Sequence, residues 1–150
     1  MSHFRLQTAL NVRGRLEKLH QKAMAEQVQI AQGMTDRSSL LKEESMMSQL
    51  QMDDSKREGF TINQVLMHTR YQERVGQQES LLQQQIESQQ QLVERKRQDL
   101  AVASQKKRVL EILKERHEER AKKKRERLER MEVDEISQNM YRLSREKESF

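Results

Sequence analysis

The chain has 150 residues, of which 35% are charged and only 3% aromatic, and its formal net charge is +5. With no Trp and few large apolar side chains it cannot fill a sizeable globular core. The absence of Cys excludes disulfide frameworks and thiolate metal sites. The scarcity of Gly, the absence of Pro and the wealth of Ala, Glu, Lys, Leu, Arg, Gln and Met describe long helices, not a disordered tail.

The opening MSHFRLQTALNVRGRL has no apolar h-region, so no secretory signal is expected. A helical pattern begins near Phe4. Ala9, Val12, Leu16, Leu19, Ala23 and Ile30 recur at three-four spacing, and Met34 and Leu41 continue it after a small phase shift. A stripe this narrow has the width of a coiled-coil seam, and these residues are the expected inward face of a first helix over about 4–54. Gly14 and Gly33 fall inside the pattern. Each costs about 1 kcal/mol relative to Ala, but the pattern runs through both. The turn is expected over about 55–61, where Gly59 can end one helix at positive φ and Thr61 can cap the next.

The second helix is expected over about 62–147. Val65, Val75, Leu82, Ile86, Val93, Leu100, Ala103, Leu110, Ala121, Leu128 and Met131 fall on one strict heptad register. His68, Gln72, Glu79, Gln89, Lys96, Lys107, Lys114, His117 and Lys124 fill the same seam. Their growing density toward the C-terminus suggests that the seam loses its partner there. If the chain reverses near Gly59, Phe4 comes opposite roughly Lys114. Residues 115–150 then form an overhang of about 50 Å, at 1.5 Å per residue. An isolated helix is marginal in water, so this overhang should fray or be held by another protein. One domain of residues 1–150 is the expected organisation: an all-α, antiparallel two-helix coiled-coil hairpin with a longer C-terminal helix.

Charge is uneven. Residues 95–130 hold fifteen basic and seven acidic side chains, while residues 131–150 hold three basic and five acidic. Such a basic band favours an acidic protein surface, nucleic acid or anionic lipid. Acids at 111, 115, 118, 119 and 126 interleave with it, Glu119–Lys123 and Glu126–Arg130 are supportive helical pairs, and no aromatics are placed for base stacking. A solvated or protein-facing helix therefore outweighs a nucleic-acid-binding basic coiled coil, and no specific nucleic acid is expected. A purely structural coiled-coil homo-oligomer is a third reading. The four His lie far apart, no Gly-rich phosphate loop is present, and extended helices offer no pocket to shift a carboxylate. The chain is expected to be no enzyme and to need no metal or cofactor.

Read end to end, the sequence resembles the FliJ family of the bacterial flagellar export apparatus. The carriers are FRLQTALNVRGRLEKL at the start, the basic run KKRVLEILKERHEER, and Asp134–Glu135–Ile136 near the end. The run departs slightly in placing Val109–Leu110 before Glu111. The resemblance implies a hairpin similar to the central stalk of rotary ATPases. It also implies work with the hexameric flagellar export ATPase (FliI), the export gate protein (FlhA) and export chaperones. Location at the cytoplasmic face of the inner membrane, held there by partners, would follow, with roles in flagellum biogenesis and motility. The equivalent stalk of a virulence type III secretion system is the nearest alternative. On this resemblance, the expected ATPase-ring contacts are Phe4, Arg5, Leu6, Arg13, Arg116, Arg120, Lys123, Arg127, Asp134 and Glu135. The expected gate contacts are Phe60, Ile62, Val65, Tyr71 and Val75, although Val65 and Val75 also fit the seam.

Overall fold

A computed structural model describes residues 4–148. Two helices account for nearly all of them: α1, Gln7–Glu58, of 52 residues, and α2, Ile62–Glu148, of 87 residues. The fold is the expected all-α, antiparallel two-helix coiled coil with the longer helix second. Both Gly14 and Gly33 lie within unbroken α1, so neither breaks it. The chain divides into two units. One is Leu16–Ala103; the other joins Met1–Arg15 to Ser104–Phe150.

The Leu16–Ala103 unit contains the reversal. α1 runs to Glu58, further than the sequence pattern suggested, and only Gly59, Phe60 and Thr61 lie between the helices. Lys56 and Arg57 place positive charge on the last turn of α1, where the helix dipole is negative. Gly59 follows at φ 92°, a conformation open to a residue without Cβ. Thr61 then opens α2 with a capping box. Its backbone N–H donates to Gln64 Oε1 at 2.9 Å, and its Oγ1 accepts from the Gln64 N–H at 3.4 Å.

Every inward position expected of α2 in this unit, from Val65 through Ala103, is buried or half-buried. Val75, Leu82, Ile86 and Ala103 are its most buried side chains, and Met52 is their counterpart on α1. Three of the polar seam residues of α2, Gln89, Gln72 and His68, are paired across the helices. Gln89 Nε2 donates to the Gln27 carbonyl at 3.1 Å and to Gln27 Oε1 at 2.8 Å. Ser45 Oγ donates to Gln72 Oε1 at 2.8 Å, and Gln72 Nε2 returns a bond to the Ser45 carbonyl at 3.3 Å. His68 lies between Ser48 Oγ, 3.3 Å from Nδ1, and Gln49 Oε1, 3.1 Å from Nε2. Burying these groups is tolerable because each finds a partner.

The expected seam of α1 needs correction by one residue. Leu16, Leu19 and Ile30 are exposed in this unit, Leu19 by 63%. The inward column is instead Glu17, His20, Met24, Gln27, Ala31, Met34, Ser38, Leu41, Ser45, Ser48 and Met52. Met34 and Leu41 do belong to it. Two adjacent columns of α1 carry heptad order, and the more polar one faces α2 because its Gln and Ser side chains match hydrogen-bonding positions there.

In the other unit, Leu10 and Arg13 continue the inward column of α1, while Ala9 and Val12 are exposed. Lys107, Leu110, Lys114, His117 and Ala121 of α2 are half-buried. The ring of Phe4 lies against His117, with centroids 5.8 Å apart and planes tilted by 50°. The seam ends there. Lys124, Leu128 and Met131 are exposed, and so is every described side chain from Arg127 through Lys147.

Candidate functional site

The part of α2 beyond the seam is the candidate site. From Lys122 through Glu148 it continues the helix for about 40 Å, at 1.5 Å per residue. Nothing in the sequence interrupts it, since this stretch holds no Gly or Pro. Intrahelical ion pairs stiffen its base. Arg108 donates to Glu111 at 3.2 Å and to Glu115 at 3.0 Å, and both bonds raise the guanidinium pKa further above its usual value. Lys123 meets Glu119 at 2.7 Å. Their hydrogen bond, then their charges, hold the Glu119 carboxyl below and the Lys123 ammonium above their ordinary pKa values. Glu126 pairs backward with Lys122 at 3.9 Å, not forward with Arg130, since one turn in either direction offers a cation.

Arg116, Arg120, Lys123 and Arg127 recur at four-three-four spacing and are all exposed. They form a basic stripe along one face, rising about 17 Å. Asp134 and Glu135 are exposed beyond it, where the sign of charge changes. Apolar groups accompany both stretches. Leu128 and Met131 close the heptad register of α2. Val133, Ile136, Met140 and Leu143 begin a second repeat after a hop of two residues, which turns it onto a different face. All six are between 49% and 66% exposed. A helix that exposes this much apolar surface beside ordered charge is equipped to lie inside or against a protein partner.

Phe4, Arg5, Leu6 and Arg13 belong to the same unit as these cations. Arg5 and Leu6 are exposed; Phe4 and Arg13 are half-buried. Of the residues expected at the gate, all lie in the other unit. Phe60 and Ile62 are exposed at the reversal, Ile62 by 80%. Tyr71 is half-buried, with part of its surface open. Val65 is half-buried in the seam. Val75 is removed from the candidate surface: it is 4% exposed and packs in the core, so it has nothing to offer a partner.

The sequence pattern missed the exposed column of α1, taking Leu16, Leu19 and Ile30 for the seam. The available signal was the second heptad column beside it. Among the described residues, no group of three or more metal-ligating side chains converges, and no helix is long and apolar enough to cross a membrane.

The family model for the flagellar FliJ protein matches residues 1–146. No curated protein matches the chain. Among solved structures, a YscO homologue, CT670 from Chlamydia trachomatis, is similar at 19% sequence identity and a TM-score of 0.47, over 98% of this chain and 99% of that one.

Proposed function

Since the chain belongs to the flagellar FliJ protein family, and so to type III protein export, we propose that it is the central-stalk-like component of a flagellar export apparatus. In this reading it is a non-catalytic partner of the hexameric export ATPase, promotes assembly and activity of that ring, and links it to the export gate and to export chaperones. The observation that carries the reading is the end of the seam. α2 continues beyond His117 and Ala121 with its apolar and basic groups uncovered. Such a segment needs a surround.

Arg116, Arg120, Lys123 and Arg127, with Arg5 and Arg13, are the proposed cationic contacts to acidic loops inside the ring. Asp134 and Glu135 face basic groups of the ring further along. Phe4 and Leu6 complete the proposed ring-facing set. Charge of this kind steers entry and fixes register more than it adds affinity. Phe60, Ile62 and Tyr71 are the proposed gate-facing residues, with Val65 lending support from the seam. The Phe4 opening, the Asp134–Glu135–Ile136 ending and the flagellar description of the matching family favour flagellar export over a virulence system. The protein would then work at the cytoplasmic face of the inner membrane through its partners.

Site-specific photocrosslinking tests the assignment. A photoreactive residue at Met131 should capture the ATPase, and one at Ile62 should capture the gate. Capture of the ATPase from position 62 and not from 131 would reverse the assignment.

A further inference from the structure

One side of the Leu16–Ala103 unit carries a second heptad seam. Arg37 of α1 lines a cleft there with Gln78, Leu81 and Gln85 of α2. Seven-residue steps back along α1 carry Arg37 to Ile30, Ala23 and Leu16. An outer column three residues on holds Leu19, Glu26, Gly33, Leu40 and Met47. On α2 the same steps carry the cleft to Tyr71, Leu92 and Asp99, with Arg74 and Val102 in the outer column beside Leu81. Ala23, Tyr71 and Leu92 are half-buried, and the others are exposed. The opposite side is polar: there Gln32 and Thr35 of α1 face Gln90, Glu94 and Arg97 of α2.

We propose that this seam is a self-association surface, on which a second copy of the chain packs antiparallel to complete a four-helix bundle. The charges on it complement themselves. Glu26, Arg37, Arg74 and Asp99 are exposed and make no ion pair among the described residues. A two-fold axis crossing α1 midway between residues 31 and 32 sets Glu26 against Arg37 of the second copy. The same axis sets Leu16 against Met47 and Ala23 against Leu40. On α2, an axis midway between residues 86 and 87 sets Arg74 against Asp99 of the second copy, Leu81 against Leu92, and Tyr71 against Val102. The bonds of Gln27 with Gln89 and of Ser45 with Gln72 put these two midpoints within about two residues of one height, so a single axis serves both helices. Each ion pair then forms twice. Leu19 falls beside Glu44, and Gln78 beside Arg95, whose apolar stems can lie along the seam.

Gly33 fits the same pairing. Glycine weakens a helix relative to Ala, and a Cβ at position 33 would meet nothing within 4 Å in the hairpin, so the single chain gives no reason for it. In the antiparallel pair Ile30 of the second copy packs onto Gly33, where the missing side chain lets the two α1 helices approach closely. A parallel pair is poorer. It would set α1 of one copy on α2 of the other and bring Glu26 against Leu92 and Arg37 against Leu81, leaving these charges without partners. Tyr71 is one of the proposed gate contacts, and the antiparallel pair covers it, so the two engagements compete.

Sedimentation of the full chain over a range of concentrations tests the proposal. The wild type should form a dimer. Glu26→Arg and Arg37→Glu should each raise its dissociation constant at least about tenfold, because like charges then meet at both symmetric sites. Mixing the two single variants should give a one-to-one heterodimer, and the double variant Glu26→Arg, Arg37→Glu should dimerise again. Residues 26 and 37 lie about 16 Å apart along one helix, so rescue can act only between copies. Gly33→Gln should give a monomer whose helicity by circular dichroism is no lower than that of the wild type, which separates loss of pairing from loss of folding. A wild type that stays monomeric up to about 1 mM would overturn the proposal. So would a dimer indifferent to the single charge reversals or to Gly33→Gln, or single variants that mixing does not rescue.

Discussion

Gly59 is the residue on which the reversal turns. Its φ of 92° lies in the left-handed region, and a Cβ there would meet no neighbouring atom within 4 Å. The cost of Gly59→Ala is therefore backbone strain alone, about 1 kcal/mol, and urea melts should report a loss of that size. Val75 and Tyr71 separate packing from recognition in the same way. Val75→Ala removes buried methyl groups and should cost about 1–3 kcal/mol. Tyr71→Ala should cost less stability but weaken gate binding, because part of the ring remains open to solvent. A gate-binding defect in Val75→Ala at full stability would contradict its place in the core. Glu119 and Lys123 make a pH-dependent pair. The lowered Glu119 pKa gives helix support above the unfolded carboxyl value, lost as pH falls through the folded value. The raised Lys123 pKa gives support below the unfolded ammonium value, lost as pH rises through the folded one. Helicity around Glu119, read by backbone chemical shifts, should fall at both limits, and Glu119→Gln should remove the acid limb.

At the scale of the element, the two helices were unequally legible. In α2 one heptad register holds from Val65 to Ala121, and the apolar residues alone identify the face that the hairpin buries. In α1 two neighbouring columns both carry the repeat. Apolarity favours Leu16, Leu19 and Ile30, but the hairpin chooses the column of Gln27, Ser45 and Ser48. That choice depends on which groups α2 presents opposite, namely Gln89, Gln72 and His68, and a single helix pattern contains no such information. The Gly59 turn was legible from its residue type, as was the Thr61 cap. The candidate site was legible as a length difference between the helices and as a basic band on the longer one. Its basic stripe followed from spacing, whereas the burial of Val75 needed the packing. The Gln27–Gln89 pair should then fix register at a cost in stability. Gln89→Leu alone leaves the half-buried Gln27 groups without their partner and should cost about 1 kcal/mol. The double variant Gln27→Leu, Gln89→Leu should melt higher than wild type, with a less uniform register by site-directed spin-label distances. A lower melting temperature for the double variant would show that the pair contributes net stability.

At the scale of the whole molecule, a hairpin carries a helix extension whose uncovered surface is proposed to do the work. The hairpin core is thin, and much of the apolar surface lies outside it on Leu128, Met131, Val133, Ile136, Met140 and Leu143. Family membership places the chain in type III export, and the proposed surround is a hexameric ATPase. The division of labour is separable because the seam ends near Ala121, so a chain ending there keeps the Phe4–His117 contact and the whole hairpin. The most direct measurement is ATP hydrolysis and ring assembly by the flagellar export ATPase, with the full chain and with residues 1–121. Stimulation and assembly are expected from the full chain and neither from residues 1–121, even though both keep a folded hairpin. Equal stimulation by the two would contradict it and move the working surface into the hairpin.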